Sequence, residues 1–172
     1  YAAKDVIYLE PIYQNLKLRL EQAGTYDHVL QEGALAVAKR QQEKPLDEFY
    51  LDVKNAWRLQ PRELEVLRQL AAWRQSEAQR RDLAVNFVVK EMNMFTIAKA
   101  QPQDMNQLRK LSGMLPQEIR HHGNTILAIV SDALAVDEQK LPKKLVRLVD
   151  FNGYKHVYKQ LRDQIELAAV EF

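Results

Sequence analysis

The chain has no cysteine among its 172 residues. A disulfide framework and thiolate metal sites are thereby excluded, and a reducing compartment is compatible with the sequence. Glycine and proline are scarce, at five and six, and the β-branched clusters are short, which favours helix over sheet. No apolar run approaches a membrane span, the best being residues 126–130, so no membrane partner is expected. The N-terminus lacks the basic-then-apolar order of a signal peptide. Charge of one sign is missing too. Twenty-five Lys and Arg against 23 Asp and Glu leave a formal net charge of +2, too small to demand a polyanionic partner. No Gly-rich phosphate loop, serine triad or zinc spacing is present.

What is present is an ordinary globular balance, 47% hydrophobic and 28% charged, at a length that suits one domain or two small ones. The sequence starts at Tyr1 rather than at a methionine, inside a helical pattern, and reads as a piece of something longer. Charge is uneven along it. Residues 57–123 hold 11 Lys and Arg against 7 Asp and Glu, whereas Asp132, Asp137 and Glu138 make the stretch after them acidic. A local basic excess suits a phosphate-contacting surface and equally suits a solvated helical face.

Apolar periodicity predicts an all-α fold. Val6, Leu9, Tyr13, Leu16 and Leu20 recur at three- and four-residue steps over residues 1–23, with a kink expected at Pro11. Gly24 supplies a left-handed helix stop, Thr25 an N-cap for a second helix to about residue 43, and Pro45 its end. Residues 46–60 read as a short helix and linker. Pro61 opens a long helix whose broad apolar face carries Leu64, Leu67, Leu70, Ala71, Trp73 and Ala78. Residues 82–89 alternate in a way that could suggest a strand; an extended loop pinned to the core is preferred, since no partner strand is evident. Helices are expected over residues 91–100, 104–111, 116–122 and 124–135, punctuated by Pro102, Gly113 and Gly123. After a polar linker at residues 137–140, Pro142 opens a last helical stretch with Gly153 inside it. Leu161-Arg162 and Ala168-Ala169 loosely echo Leu67-Arg68 and Ala71-Ala72, a faint internal repeat.

One constellation can carry chemistry. Tyr1 and Asp5 are four apart, hence one turn apart on one helix face. A carboxylate there can hold a hard divalent cation, and the phenol can orient a water beside it. As a bare spacing, Tyr-x-x-x-Asp is equally an aromatic cap and a surface acid. Adjacent His121 and His122 point in different directions on a helix and do not make a joint metal site. The four methionines read as core filler, and Trp57 and Trp73 as packing anchors.

Tyr1-Ala-Ala-Lys-Asp5-Val-Ile-Tyr8-Leu9, followed by Pro11 and a Leu-rich helix, resembles the third exonuclease motif of the DEDDy nucleases, and of the ribonuclease D family in particular. Asn55-Ala56-Trp57 and the Leu-Arg-x-Leu-Ala-Ala-Trp-Arg run ending at Arg74 resemble that family's entry into an HRDC domain. Arg81-Asp82 and Asn86-Phe87-Val88-Val89 resemble the loop after its first helix, and the run from Gly113 to Val130 its closing helix pair. The resemblance implies three parts: residues 1–56 as the end of the exonuclease domain plus linker, 57–137 as the HRDC domain, and 138–172 as the start of a second HRDC-like domain.

It further implies a 3′→5′ exoribonuclease that trims RNA 3′ ends, notably transfer RNA precursors, with divalent metal ions, Mg²⁺ or Mn²⁺. On this reading Asp5 is a metal ligand and Tyr1 a positioner of the attacking water. The family's remaining acidic ligands lie upstream of these residues, so the segment by itself is expected to be inactive and to hold no metal. A monomeric, cytoplasmic protein is the expectation. Arg80, Arg81, Lys110 and Arg120, with Lys99 and Arg109, become candidate phosphate contacts, and the turn at Gly113 a place where backbone N–H groups could meet a phosphate. The alternative is a non-catalytic HRDC module of a helicase-type protein.

Overall fold

The computed structural model describes residues 6–42 and 44–170, and among them no strand occurs. The fold is all-α. No helix is long and apolar enough to cross a membrane. Contacts divide the chain into two units, Tyr1–Lys44 and Pro45–Phe172.

The first unit contains helices α1 (Leu9–Gln22) and α2 (Tyr26–Gln41). Pro11 acts upstream of itself. Lacking an N–H, it cannot bond to Ile7, and the helical turn at residues 6–7 breaks at Tyr8 before α1 begins. Pro11 therefore sits in the first turn of α1 rather than kinking its middle. Gly24, at φ +68°, ends α1 as expected. The Thr25 N–H reaches Leu20 O at 3.0 Å and the Gly24 N–H reaches Glu21 O at 3.1 Å, the paired bonds of a Schellman stop. Thr25 is the N-cap of α2 by position, although its side chain makes no cap bond. The unit buries no side chain of either helix.

The second unit is built on α3 (Pro61–Arg80). Proline occupies its first turn, and Glu63 Oε2 accepts the Gln60 N–H at 2.7 Å, which relieves one of the donors that every helix start leaves open. Leu64, Val66, Leu67, Leu70, Ala71 and Ala78 are buried along it. Two 3₁₀ segments, Leu46–Asp52 and Ala56–Arg58, lead in. Around α3 stand α4 (Val85–Val88), α5 (Glu91–Ala100), α6 (Met105–Arg109) and α7 (Pro116–Ala135). They contribute Val88, Met94, Ile97, Leu108, Ile126 and Val130 to one core. Two further 3₁₀ segments, Glu138–Lys140 and Leu148–Asp150, precede α8 (Tyr154–Val170).

Three local expectations are corrected. Residues 85–88 are one helical turn, not extended backbone, and the alternating residues that suggested a strand share no face: Val89 is buried while Phe87 is 79% exposed. Arg74 pins this turn by donating to Asn86 Oδ1 and Val89 O. Gly123 does not divide two helices but lies inside α7. A Cβ there would stand 2.9 Å from Met105 Cε, so the missing side chain leaves room for the Met105 side chain from α6. Gly153 precedes α8, and residues 141–147 are irregular rather than helical.

Candidate nucleic-acid interface

The four basic residues singled out from the sequence fall in two places with different electrostatic settings. Arg80 and Arg81 close α3, and both lean on Glu77. Arg80 Nε and Nη2 donate to it at 2.9 and 2.7 Å, and Arg81 Nη1 lies 3.8 Å away. The bond from Arg80 holds the Glu77 carboxyl below its ordinary pKa, as expected where a cation stabilises the ionised form. Much of this pair's charge is already answered within its own helix.

Lys110 and Arg120 are different. Lys110 follows α6, Arg120 lies in the second turn of α7, and the Gly113 turn joins the two helices. Both are exposed, as is Arg109. Among the described residues none of these three side chains hydrogen-bonds or ion-pairs. Arg109 and Arg120 line one open cavity of about 520 Å³ together with Met105, Met114, Pro116 and Ile119.

The turn between them is held by a residue that sequence reasoning missed. Asn93 is 3% exposed on α5. Its Nδ2 donates to Gly113 O at 3.1 Å and to Glu118 Oε2 at 3.0 Å. Gly113 has φ +91°, and a Cβ there would stand 2.8 Å from Asn93 Oδ1; backbone and amide need the absence of a side chain. Glu118 Oε2 also accepts the Leu115 N–H at 3.0 Å. A carboxylate thus stands at the start of α7, where open backbone amides were expected to meet a phosphate. The groups left at this turn to meet an anion are the basic side chains.

Trp73 anchors α3 as expected, edge-on to His122 with ring centroids 5.3 Å apart. Burial pushes the His122 pKa down, and the nearby Arg81 charge adds to the effect. Trp57 departs from the packing role assigned to it. Half-buried, it meets the guanidinium of Arg147 at 3.9 Å and that of Arg58 at 5.2 Å.

Tyr1 and Asp5 lie outside the described residues. Among the described residues no group of three or more His, Cys, Asp or Glu could hold a metal ion. Asp5 alone does not make a site for a hard divalent cation, which takes six or more oxygen ligands.

This arrangement has a known counterpart. Residues 63–130 match the family model of the HRDC domain, so the turn with Lys110 and Arg120 belongs to an HRDC domain. Over nearly its full length the chain is also similar to bacterial ribonuclease D. It is 40% identical to ribonuclease D of Serratia proteamaculans, over 98% of this chain and 45% of that protein. With ribonuclease D of Escherichia coli K12 the identity is 39%, over 96% and 44%. The crystal structure of Escherichia coli RNase D, described as an exoribonuclease involved in structured RNA processing, matches with a TM-score of 0.84 at 38% identity, covering 96% of this chain and 44% of that one. The chain therefore spans less than half the length of these relatives. They favour the ribonuclease D reading over a helicase module.

Proposed function

We propose that this chain is the C-terminal, RNA-holding portion of a 3′→5′ exoribonuclease of the ribonuclease D type, one that trims RNA 3′ ends, transfer RNA precursors among them, in the cytoplasm. Homology to ribonuclease D over 96–98% of the chain carries this reading. In it, residues 1–56 close the exonuclease domain, 57–137 are the HRDC domain, and 138–172 begin a second HRDC-like domain. Lys110 and Arg120 neutralise phosphates, with Arg80 and Arg81 as weaker contacts because Glu77 already engages them. Such contacts confer affinity without sequence information.

For catalysis, Asp5 is proposed as a ligand of Mg²⁺ or Mn²⁺ and Tyr1 as the group that orients the attacking water. The bound metal supplies charge stabilisation at the scissile phosphate, and its other ligands come from outside these residues. The segment by itself is therefore expected to bind RNA without cutting it. Filter binding of the chain to transfer RNA at low and moderate salt is the test. Binding that weakens steeply with salt supports the reading. No binding at low salt removes it.

A further inference from the structure

A second groove with basic residues along it lies at Trp57. The Trp57 ring, Phe95 and the irregular stretch at residues 144–146 line a groove of about 480 Å³, within the range of about 300–1,000 Å³ common for ligand sites. Arg58, Lys99 and Lys144 stand along it. All three are exposed, and none has an ion-pair partner among the described residues. Asp150 is the only acid lining the groove, and it is already spent on Arg147, which donates to both its oxygens at 2.6 and 2.9 Å. That ion pair holds the Arg147 guanidinium in place, its carbon 3.9 Å from the Trp57 ring centroid. The Arg147 side chain is nevertheless 43% exposed.

The pieces add up to a particular chemistry. A planar guanidinium held 3.9 Å from an indole centroid and still 43% exposed is a surface on which an unpaired base can stack. Cations without an ion-pair partner beside it suit the phosphates on either side of that base. Aromatic platforms interleaved with basic side chains are the usual means of holding single strands without regard to sequence. A paired helix buries its base faces in its own stack and could not use such a platform.

We propose that this groove, with the Arg147 guanidinium that adjoins it through Trp57 and Asp150, is a single-strand subsite: an unpaired nucleotide of RNA stacks on the Arg147–Trp57 pair, and its phosphates meet Arg58, Lys99 and Lys144. The subsite rests on the RNA-binding reading above but is separate from the Lys110–Arg120 turn. It would hold an unpaired stretch of the RNA while the turn holds phosphates of any form.

Binding of the 172-residue chain to fluorescein-labelled decaadenylate and to a ten-base-pair RNA duplex tests this. Arg147→Lys keeps the charge but removes the plane, and Lys99→Gln with Lys144→Gln removes charge from exposed positions without touching the core. The expected result is a loss of about fivefold or more in decaadenylate affinity for Arg147→Lys, from the range of base–aromatic stacking, with duplex affinity unchanged. The lysine pair should weaken decaadenylate as well. Urea unfolding and circular dichroism of each variant check the fold. If every groove variant binds decaadenylate as the wild type does, and only Lys110→Gln with Arg120→Gln weakens binding, the groove proposal fails and the RNA-binding reading stands. In that case Arg147 on Trp57 merely fastens the 144–150 stretch to the domain. If the wild-type chain binds neither RNA at low salt, both fall.

Discussion

Replacing Asn93 by alanine separates a designed turn from an incidental one. Its Nδ2 bridges Gly113 O at 3.1 Å and the Glu118 carboxylate at 3.0 Å from a position only 3% exposed. Alanine keeps the helix propensity of α5 and deletes both bonds. The neutral one is worth about 0.5–1.5 kcal/mol and the one to the carboxylate about 1.5–3 kcal/mol, a combined loss of about 2–4 kcal/mol. Leu115 still donates to Glu118 Oε2, so the carboxylate is not wholly orphaned, which favours the lower half. With a urea dependence of about 1–3 kcal/mol per molar, the midpoint should fall by about 1–2 M. Asn93→Asp should be worse at neutral pH, because it places a second carboxylate against Glu118 and offers no donor. Urea unfolding followed by circular dichroism reads both. A loss below about 0.5 kcal/mol for Asn93→Ala, the range of ordinary surface changes, would refute the claim that this amide organises the turn.

Other outcomes follow from the same structure. Glu65 is fully buried and pairs with Arg68 at 2.8 Å. Arg68→Ala should cost about 2–4 kcal/mol, somewhat under the range for breaking a buried pair because Arg68 is a third exposed. Adding Glu65→Gln should restore much of that in the same urea assay. Burial, then Arg81, lowers the His122 pKa from 6.5. The unfolded chain therefore takes up the proton first, and the stability His122 contributes is present above about pH 6.5 and lost as pH falls toward the depressed value. Thermal unfolding between pH 7.5 and 5 should show this slope, flattened in His122→Gln; an unchanged slope would contradict it. In a protein that carries all the family's acidic motifs, Asp5→Ala should nearly abolish metal-dependent trimming while leaving the unfolding midpoint unchanged, as a trimming assay beside a melt would show.

The sequence was most legible where one local signal had one meaning. Helix α5 runs from Glu91 to Ala100, as its periodicity and the Pro102 stop require. Gly24 and Pro61 stand where their backbone preferences put them. Gly123 misled because glycine marks both a helix stop and a close approach, and only Met105, 18 positions earlier, distinguishes the two. Asn93 was invisible for a related reason: a polar residue in a helix reads as solvent-facing until its partners, 20 and 25 residues away, fold against it. Trp57 read as a packing anchor because the sequence gives no sign that Arg147 would come back over its ring. Basic residues were countable from the start, but their value as contacts was not. Glu77 answers Arg80, while nothing among the described residues answers Lys110, and that distinction exists only in three dimensions.

The measurement that bears most directly on the central claim is the salt dependence of transfer RNA binding by this chain, wild type against Lys110→Gln with Arg120→Gln. If the HRDC surface at the Gly113 turn holds phosphates, the plot of log affinity against log salt should flatten by about 1.4–1.8 units, since each lost phosphate contact removes about 0.7–0.9. Affinity at low salt should fall alike for unrelated RNA sequences, because phosphate contacts read none of them. Arg80→Gln with Arg81→Gln should change the slope less, Glu77 having already claimed that pair. A slope in the Lys110 and Arg120 variant equal to that of the wild type would contradict the assignment of this turn as the RNA-holding surface.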